Sequence, residues 1–236
     1  MLVVNKKAFN RGALLGVSFL IVLAIMFMPI FGEGRNAFRA ADRFYNSIAK
    51  GSTYYIPHVM EQNEEFKGRQ IDVAIQLDNE EMVRNAAQLF EAGGASVAAE
   101  GTELRVSGDL GRILSEAISQ ADLVFHNRGE EIAQRFGFSQ REALYVWHKS
   151  LKAVNKALTK QENFKEAAWI EEALKRTVEV AYNFYKIEPR SASSAALMLS
   201  VSLGFYVIYT LWWGYAILNL FEGFGLEMKA GHKKEV

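Results

Sequence analysis

Apolar residues gather at the two ends of the chain, and charged residues fill the middle. From Ala192 to Phe221 there is no Asp, Glu, Lys or Arg. At about 1.5 Å of rise per residue, a helix of that length exceeds a hydrocarbon core about 30 Å thick. Trp212, Trp213 and Tyr215 lie towards its far end, where amphipathic rings favour a membrane interface, and Lys229, Lys233 and Lys234 follow. The pattern predicts a transmembrane helix over 192–221. A second apolar run, 12–31, follows Lys6, Lys7 and Arg11. It is longer than a signal-peptide core, and no Ala-x-Ala cleavage pattern follows it, so it predicts an uncleaved anchor.

Two spans place both termini on one side. The basic tails, 1–11 and 222–236, point to the cytoplasm for that side. Arg35, Arg39, Arg43, Lys50, Lys186 and Arg190 oppose this count, but charges in a long translocated loop weigh less than those in short tails. The expected arrangement is a multi-pass protein of a bacterial inner (plasma) membrane, with 32–191 as an extracytoplasmic, periplasmic domain. Small residues recur in both spans: Gly12 and Gly16 in the first, and Ser193, Ala196, Ser200 and Gly204 on one face of the second. Such stripes let helix backbones approach closely, so these six are the expected helix–helix packing residues. Asn219 and Glu222 read as interfacial.

The middle has finer periodicities. Gly34 to Lys50 reads as an amphipathic helix with Phe38, Ala41, Tyr45 and Ile48 on one face. Arg35, Arg39 and Arg43 recur four apart on another and are candidates for lipid phosphates or an acidic partner, against the plainer reading of a solvated face. Gly51-Ser52 ends it. Ser52 to Gly68 reads as an extended connector, with Pro57 turning Ile56 away from helix. Ile71, Val73, Ile75 and Leu77 alternate with polar residues, which predicts a half-buried strand. Asp78 and Glu81 form a capping-box pattern for a helix that Gly93-Gly94 stops. Ala95–Ala99 and Glu103–Val106 read as short strands, followed by a helix from about Gly108. This βαββα unit, 69–122, implies a small sheet with helices on one face. Leu123 to Phe136 continues as helix, as one piece with its predecessor or separately. Ser139 with Glu142 and Asn163 with Glu166 open two further helices, and Leu144, Trp147, Leu151, Val154 and Leu158 form a heptad seam. Residues 139–188 therefore predict an antiparallel helical hairpin. The fold class is α+β, membrane-anchored.

Composition narrows the chemistry. The chain has 236 residues, with 27 basic and 27 acidic side chains. Without the terminal segments roughly 155 to 160 residues remain, enough for one domain. Balanced charge disfavours nucleic acid as a partner. The absence of cysteine removes disulfides, thiolate metal sites and Cys nucleophiles. His126 and Glu130 are four apart, a spacing that suits two metal ligands on one helix, yet no further motif completes a set. His148 beside Trp147 and Tyr145 has a haem or quinone contact as its sharper reading and a structural histidine as its plainer one. Glu171 and Glu172 have Lys175 and Arg176 four residues on, as paired charges of a solvated helix face do. Gly93-Gly94 and Gly108-x-x-Gly111 lack the spacing of a phosphate loop and read as caps and turns. No catalytic, cofactor or metal residue emerges.

The leading expectation is a non-enzymatic membrane subunit that scaffolds or docks a larger complex. Its expected partners are the lipid bilayer, other membrane subunits, and copies of itself in a homo-oligomer. The alternatives are an extracytoplasmic ligand sensor relaying to a partner, and an accessory subunit of a membrane redox or transport enzyme.

Overall fold

The computed structural model describes residues 3–226. Lys229, Lys233 and Lys234, which follow the second apolar run, lie outside the described residues. The fold is α+β, with a small three-stranded sheet and two helices long and apolar enough to cross a membrane. The chain divides into two compact units: one from residues up to Ile48 together with those from Arg190, the other Ala49–Pro189.

The first unit contains α1 (Lys6–Phe27), most of α2 (Ala37–Ser52) and α10 (Ala196–Gly223). Asn5 caps α1 by accepting from the Ala8 amide at 3.1 Å. Helices α1 and α10 run antiparallel in contact: Phe9 meets Gly223 and Phe224, Gly12 meets Ala216 and Leu220, and Phe19 meets Tyr209, Trp212 and Trp213. The most apolar stretch of α10 buries none of its residues. The expected boundaries shift. The first apolar helix begins at Lys6 and ends at Phe27, and Ser193 precedes α10 in a turn. Helix α2 starts only at Ala37, capped by Asn36, so Arg35 lies before it and not on its face.

The second unit opens with α3 (Ile56–Asn63), where an extended connector was expected. Pro57 occupies the first helical turn, where its missing N–H is no loss and its fixed φ suits the helix. A 3₁₀ turn (Glu64–Phe66) leads to β1 (Gln70–Gln76). Then follow α4 (Glu80–Ala92), β2 (Ser96–Glu100), β3 (Glu103–Asp109) and α5 (Leu110–Phe125). The βαββα order is as the alternation predicts. The cap of α4 is Asn79, one residue beyond the expected Asp78; its side chain accepts from the Met82 amide at 2.8 Å. The sheet is antiparallel in the order β1-β3-β2, so β1 and β2 are its edges. Ile71, Val73 and Ile75 point into the core, and Asp72, Ala74 and Gln76 away from it.

Helix α5 stops at Phe125 and α6 (Glu130–Phe136) follows as a separate piece. Asn127, at φ 58°, makes the break. Gly111, expected at a cap or turn, sits inside α5 where a Cβ would strike the Phe66–Lys67 peptide; glycine permits that close approach.

Helix α7 (Gln140–Lys160) is capped by Ser139 as predicted and presents Leu144, Trp147, Leu151, Val154 and Leu158 to the core. Its partner is not one helix. It comprises α8 (Phe164–Ala173), a π-helical turn (Leu174–Val178) and α9 (Glu179–Asn183). Asn163 stands at the cap of α8 but makes no side-chain capping bond. Two buried polar networks fix the packing. Asn63 donates to the Gly111 carbonyl at 2.7 Å and the Ser115 hydroxyl at 2.9 Å, and accepts from Trp169 Nε1 at 2.9 Å. Gln120 accepts from Trp147 Nε1 at 2.9 Å. No buried side-chain polar atom among the described residues lacks a partner.

Candidate functional site

The π turn borders a concavity of the Ala49–Pro189 unit. In a π turn the amide of Glu179 bonds back five residues, to Leu174, and the widened turn displaces the side chains that follow. Such single turns recur at functional sites. Here the displaced residues Val178, Glu179, Tyr182 and Asn183 face Tyr145 and His148 of α7 across a cleft of about 280 Å³. His148 Nε2 lies 3.0 Å from Glu179 Oε1, and both side chains are about one-third exposed. Lys152 Nζ stands 3.9 Å from the same carboxylate oxygen. Arg141 covers the Tyr182 ring at 4.9 Å. The cleft has two phenolic rings, one imidazole–carboxylate pair and flanking cations. That set can hold a small polar or aromatic ligand by stacking and hydrogen bonds.

Lysine 50 is the other unusual group of this unit. It is 1% exposed. Its Nζ donates to the Ile187 carbonyl at 2.6 Å and the Phe184 carbonyl at 3.2 Å, and lies 3.5 Å from Asn127 Oδ1 and 4.9 Å from the Phe125 ring centre. Burial lowers its pKa from the usual 10.5, and nearby Glu188 opposes that shift. The acceptors lie just past the end of α9, and each has a second donor: the Ile187 amide reaches the Phe184 carbonyl at 3.1 Å and Asn127 Nδ2 the Ile187 carbonyl at 3.4 Å. Lys50 thus ties the start of the unit to its end. Its role is structural closure, and nothing in its position in α2 announced it.

The expected helix-packing residues separate. Gly12 stands in the α1–α10 contact, where a Cβ would fall 2.7 Å from the Leu220 amide nitrogen and 2.9 Å from the Ala216 carbonyl oxygen. Gly16 and Gly204 meet nothing within 4 Å. Ser193 is in the turn before α10, and Ala196, Ser200 and Gly204 lie on exposed helix surface, so this stripe does not face α1. Two contact residues went unpredicted. Gly223 abuts Phe9, where a Cβ would fall 2.7 Å from Phe9 Cα. Trp212 Nε1 donates to the Leu15 carbonyl at 3.1 Å. Gly223 follows the acidic Glu222, which placed it outside the expected span; its proximity to Phe9 is not encoded in local spacing. Asn5 Nδ2 donates to Glu222 Oε1 at 3.1 Å, and the amides of Val4 and Asn5 donate to the Gly223 carbonyl at 2.9 and 3.1 Å.

The three arginines separate likewise. Glu33, at φ 50°, forms an ion pair with Arg35 and lies 3.9 Å from Arg43 Nη1. Arg39 is exposed and forms no ion pair among the described residues. His126 ends α5 and Glu130 opens α6, so they do not share a helix face as a metal pair would need; His126 instead lies 3.3 Å from Asp122 Oδ1. No group of three metal-ligating side chains assembles among the described residues. No protein-family model, curated protein or solved structure matches the chain.

Proposed function

We propose that this chain is a two-span membrane protein, and that it acts as a non-enzymatic subunit docking a larger complex through its middle unit and its helices. The observation that carries the reading is the α1–α10 pair. Its inward side is specific: Gly12 and Gly223 admit the opposing helix, and Phe19, 6% exposed, sits under three aromatic rings. Its outward side is apolar and bare, with Leu14, Val17, Leu20, Leu197, Val201 and Leu211 all more than half exposed. A helix of a soluble core would bury such residues; lipid or partner helices accommodate them. A cleaved leader would have no lasting partner in the mature chain, so this fitted contact supports retention of α1.

An antiparallel pair puts the termini on one side and the intervening unit on the other. The basic residues at the ends favour the cytoplasm of an inner membrane for the termini. Gentle detergent extraction of the tagged native protein, followed by native sizing and mass spectrometry, tests the reading. A discrete large assembly with defined partners is expected; a lone monomer overturns it.

The cleft between Tyr145 and Glu179 favours a second reading, a ligand sensor. That reading predicts a ligand-dependent rise in the unfolding temperature of the intact protein, abolished by His148→Ala.

A further inference from the structure

Strand β1 is an edge, and its hydrogen-bonding pattern shows which groups are free. The Leu110 amide bonds to the Arg69 carbonyl at 2.8 Å and the Leu77 amide to the Thr102 carbonyl at 3.0 Å. In an antiparallel ladder such pairs recur at every second residue, so Ile71, Val73 and Ile75 bond to β3. Asp72, Ala74 and Gln76 therefore aim their amides and carbonyls away from the sheet. Gln161 Nε2 takes one of these, the Asp72 carbonyl, at 3.0 Å. No backbone or side-chain partner reaches the outward groups of Ala74 and Gln76 among the described residues.

This open edge forms one wall of a groove of about 590 Å³, with Ala74 to Asp78 on one side and α7 on the other. Lys149 Nζ lies 3.0 Å from Asp78 Oδ2, and Gln161 bonds to Asp72, so α7 runs antiparallel to β1 along the groove. The wall that α7 contributes is a lysine row, Lys149, Lys152, Lys156 and Lys160, above Ala153 and Ala157. Lys149 and Lys152 have acidic neighbours, Asp78 and Glu179. Lys156 and Lys160 are exposed and have none among the described residues. Natural proteins protect open edges with lysine, and here the lysines also line a groove beside the edge.

We infer that the β1 edge and the lysine row of α7 form a docking site for an extended acidic segment of a partner protein, which adds to the sheet as a fourth strand. This deepens the docking reading proposed above and rests on it. The backbone of the segment pairs with Ala74 and Gln76, and its side chains alternate between the two faces of the sheet. Every second side chain falls on the face that α7 covers, so carboxylates at alternate positions meet Lys156 and Lys160.

The test uses the full chain in detergent micelles and a fluorescein-labelled seven-residue peptide alternating threonine or valine with glutamate, read by anisotropy. The expected result is saturable binding that weakens with salt and falls at least about tenfold for the exposed double variant Lys156→Glu, Lys160→Glu. N-methylation of the peptide at the residues that would pair with Ala74 and Gln76 is expected to abolish binding without touching the protein. Equal binding of the N-methylated peptide, or of one with its glutamates clustered, overturns strand addition in favour of a diffuse cationic surface. Binding to phosphatidylglycerol vesicles but to no acidic peptide overturns it in favour of lipid. A dimer dissociated by Ala74→Pro overturns it in favour of a second copy on this edge. If the peptide fails while the native protein still migrates in a large assembly, this groove is excluded and the docking reading survives. If no assembly exists, both fall.

Discussion

Lys50, Gly12 and Gly16 show what a single residue decides. Replacing Lys50 by Met removes the charged donor from the carbonyls of Phe184 and Ile187, which keep only the Ile187 amide at 3.1 Å and Asn127 Nδ2 at 3.4 Å respectively. Hydrogen bonds from a charged group contribute about 1.5–3 kcal/mol, so Lys50→Met is expected to lower the thermal midpoint by several degrees and to speed hydrogen exchange after α9. The pH dependence has a definite sign. Because burial holds the folded-state pKa below 10.5, the unfolded chain binds more protons between that lowered value and 10.5. Stability from this group therefore rises with pH through that window. Denaturation midpoints collected towards pH 10.5 will show this slope in the native chain and lack it in Lys50→Met. In the terminal unit, Gly12→Leu is expected to separate α1 from α10, whereas Gly16→Leu, which meets only open space, leaves them paired. The chain lacks cysteine, so a disulfide engineered between positions 5 and 222 reads that pairing on a clean background.

At the scale of elements, the period-two and heptad patterns were legible because each follows from which side of an element faces the core. Ile71, Val73 and Ile75 are buried as their alternation requires, and Leu144 to Leu158 as their seam requires. The π turn was not legible. Ala167, Ile170 and Leu174 continue a regular helical stripe, and only the packing of α8 and α9 against α7 shows that one residue too many must be absorbed. Deleting Lys175, which is exposed and among the described residues pairs only with Glu171, at 3.1 Å, is expected to convert 164–183 into a continuous α-helix. Far-UV circular dichroism should keep its helical signal, while His148 loses Glu179 as a neighbour. On the sheet's exposed face, Arg105 Nη2 pairs with Asp72 Oδ2 at 2.7 Å and holds that carboxyl below its usual 3.8. Its stabilising contribution is present above pH 3.8 and is lost as pH falls through the lowered value, so Asp72→Asn should flatten the acid limb of the unfolding curve.

For the whole molecule, the proposed topology makes one prediction independent of any partner. Tags at the two termini should be reached from the same side of sealed vesicles, and a protease added from the opposite side should cut only between the spans. Opposite accessibility of the two tags overturns the paired-span reading.

What the sequence determined by itself was local: apolar length, alternation, heptad spacing and the Ser139 cap, each set by interactions within a few residues. The tertiary structure decided the rest. It selected Gly12 over Gly16, brought in Gly223, buried Lys50 against carbonyls more than a hundred residues away, and left the β1 edge open beside a lysine row. Those outcomes depend on which distant backbone approaches each residue. One helix contains both Gly12 and Gly16, and only the neighbour that folding brings to it distinguishes them.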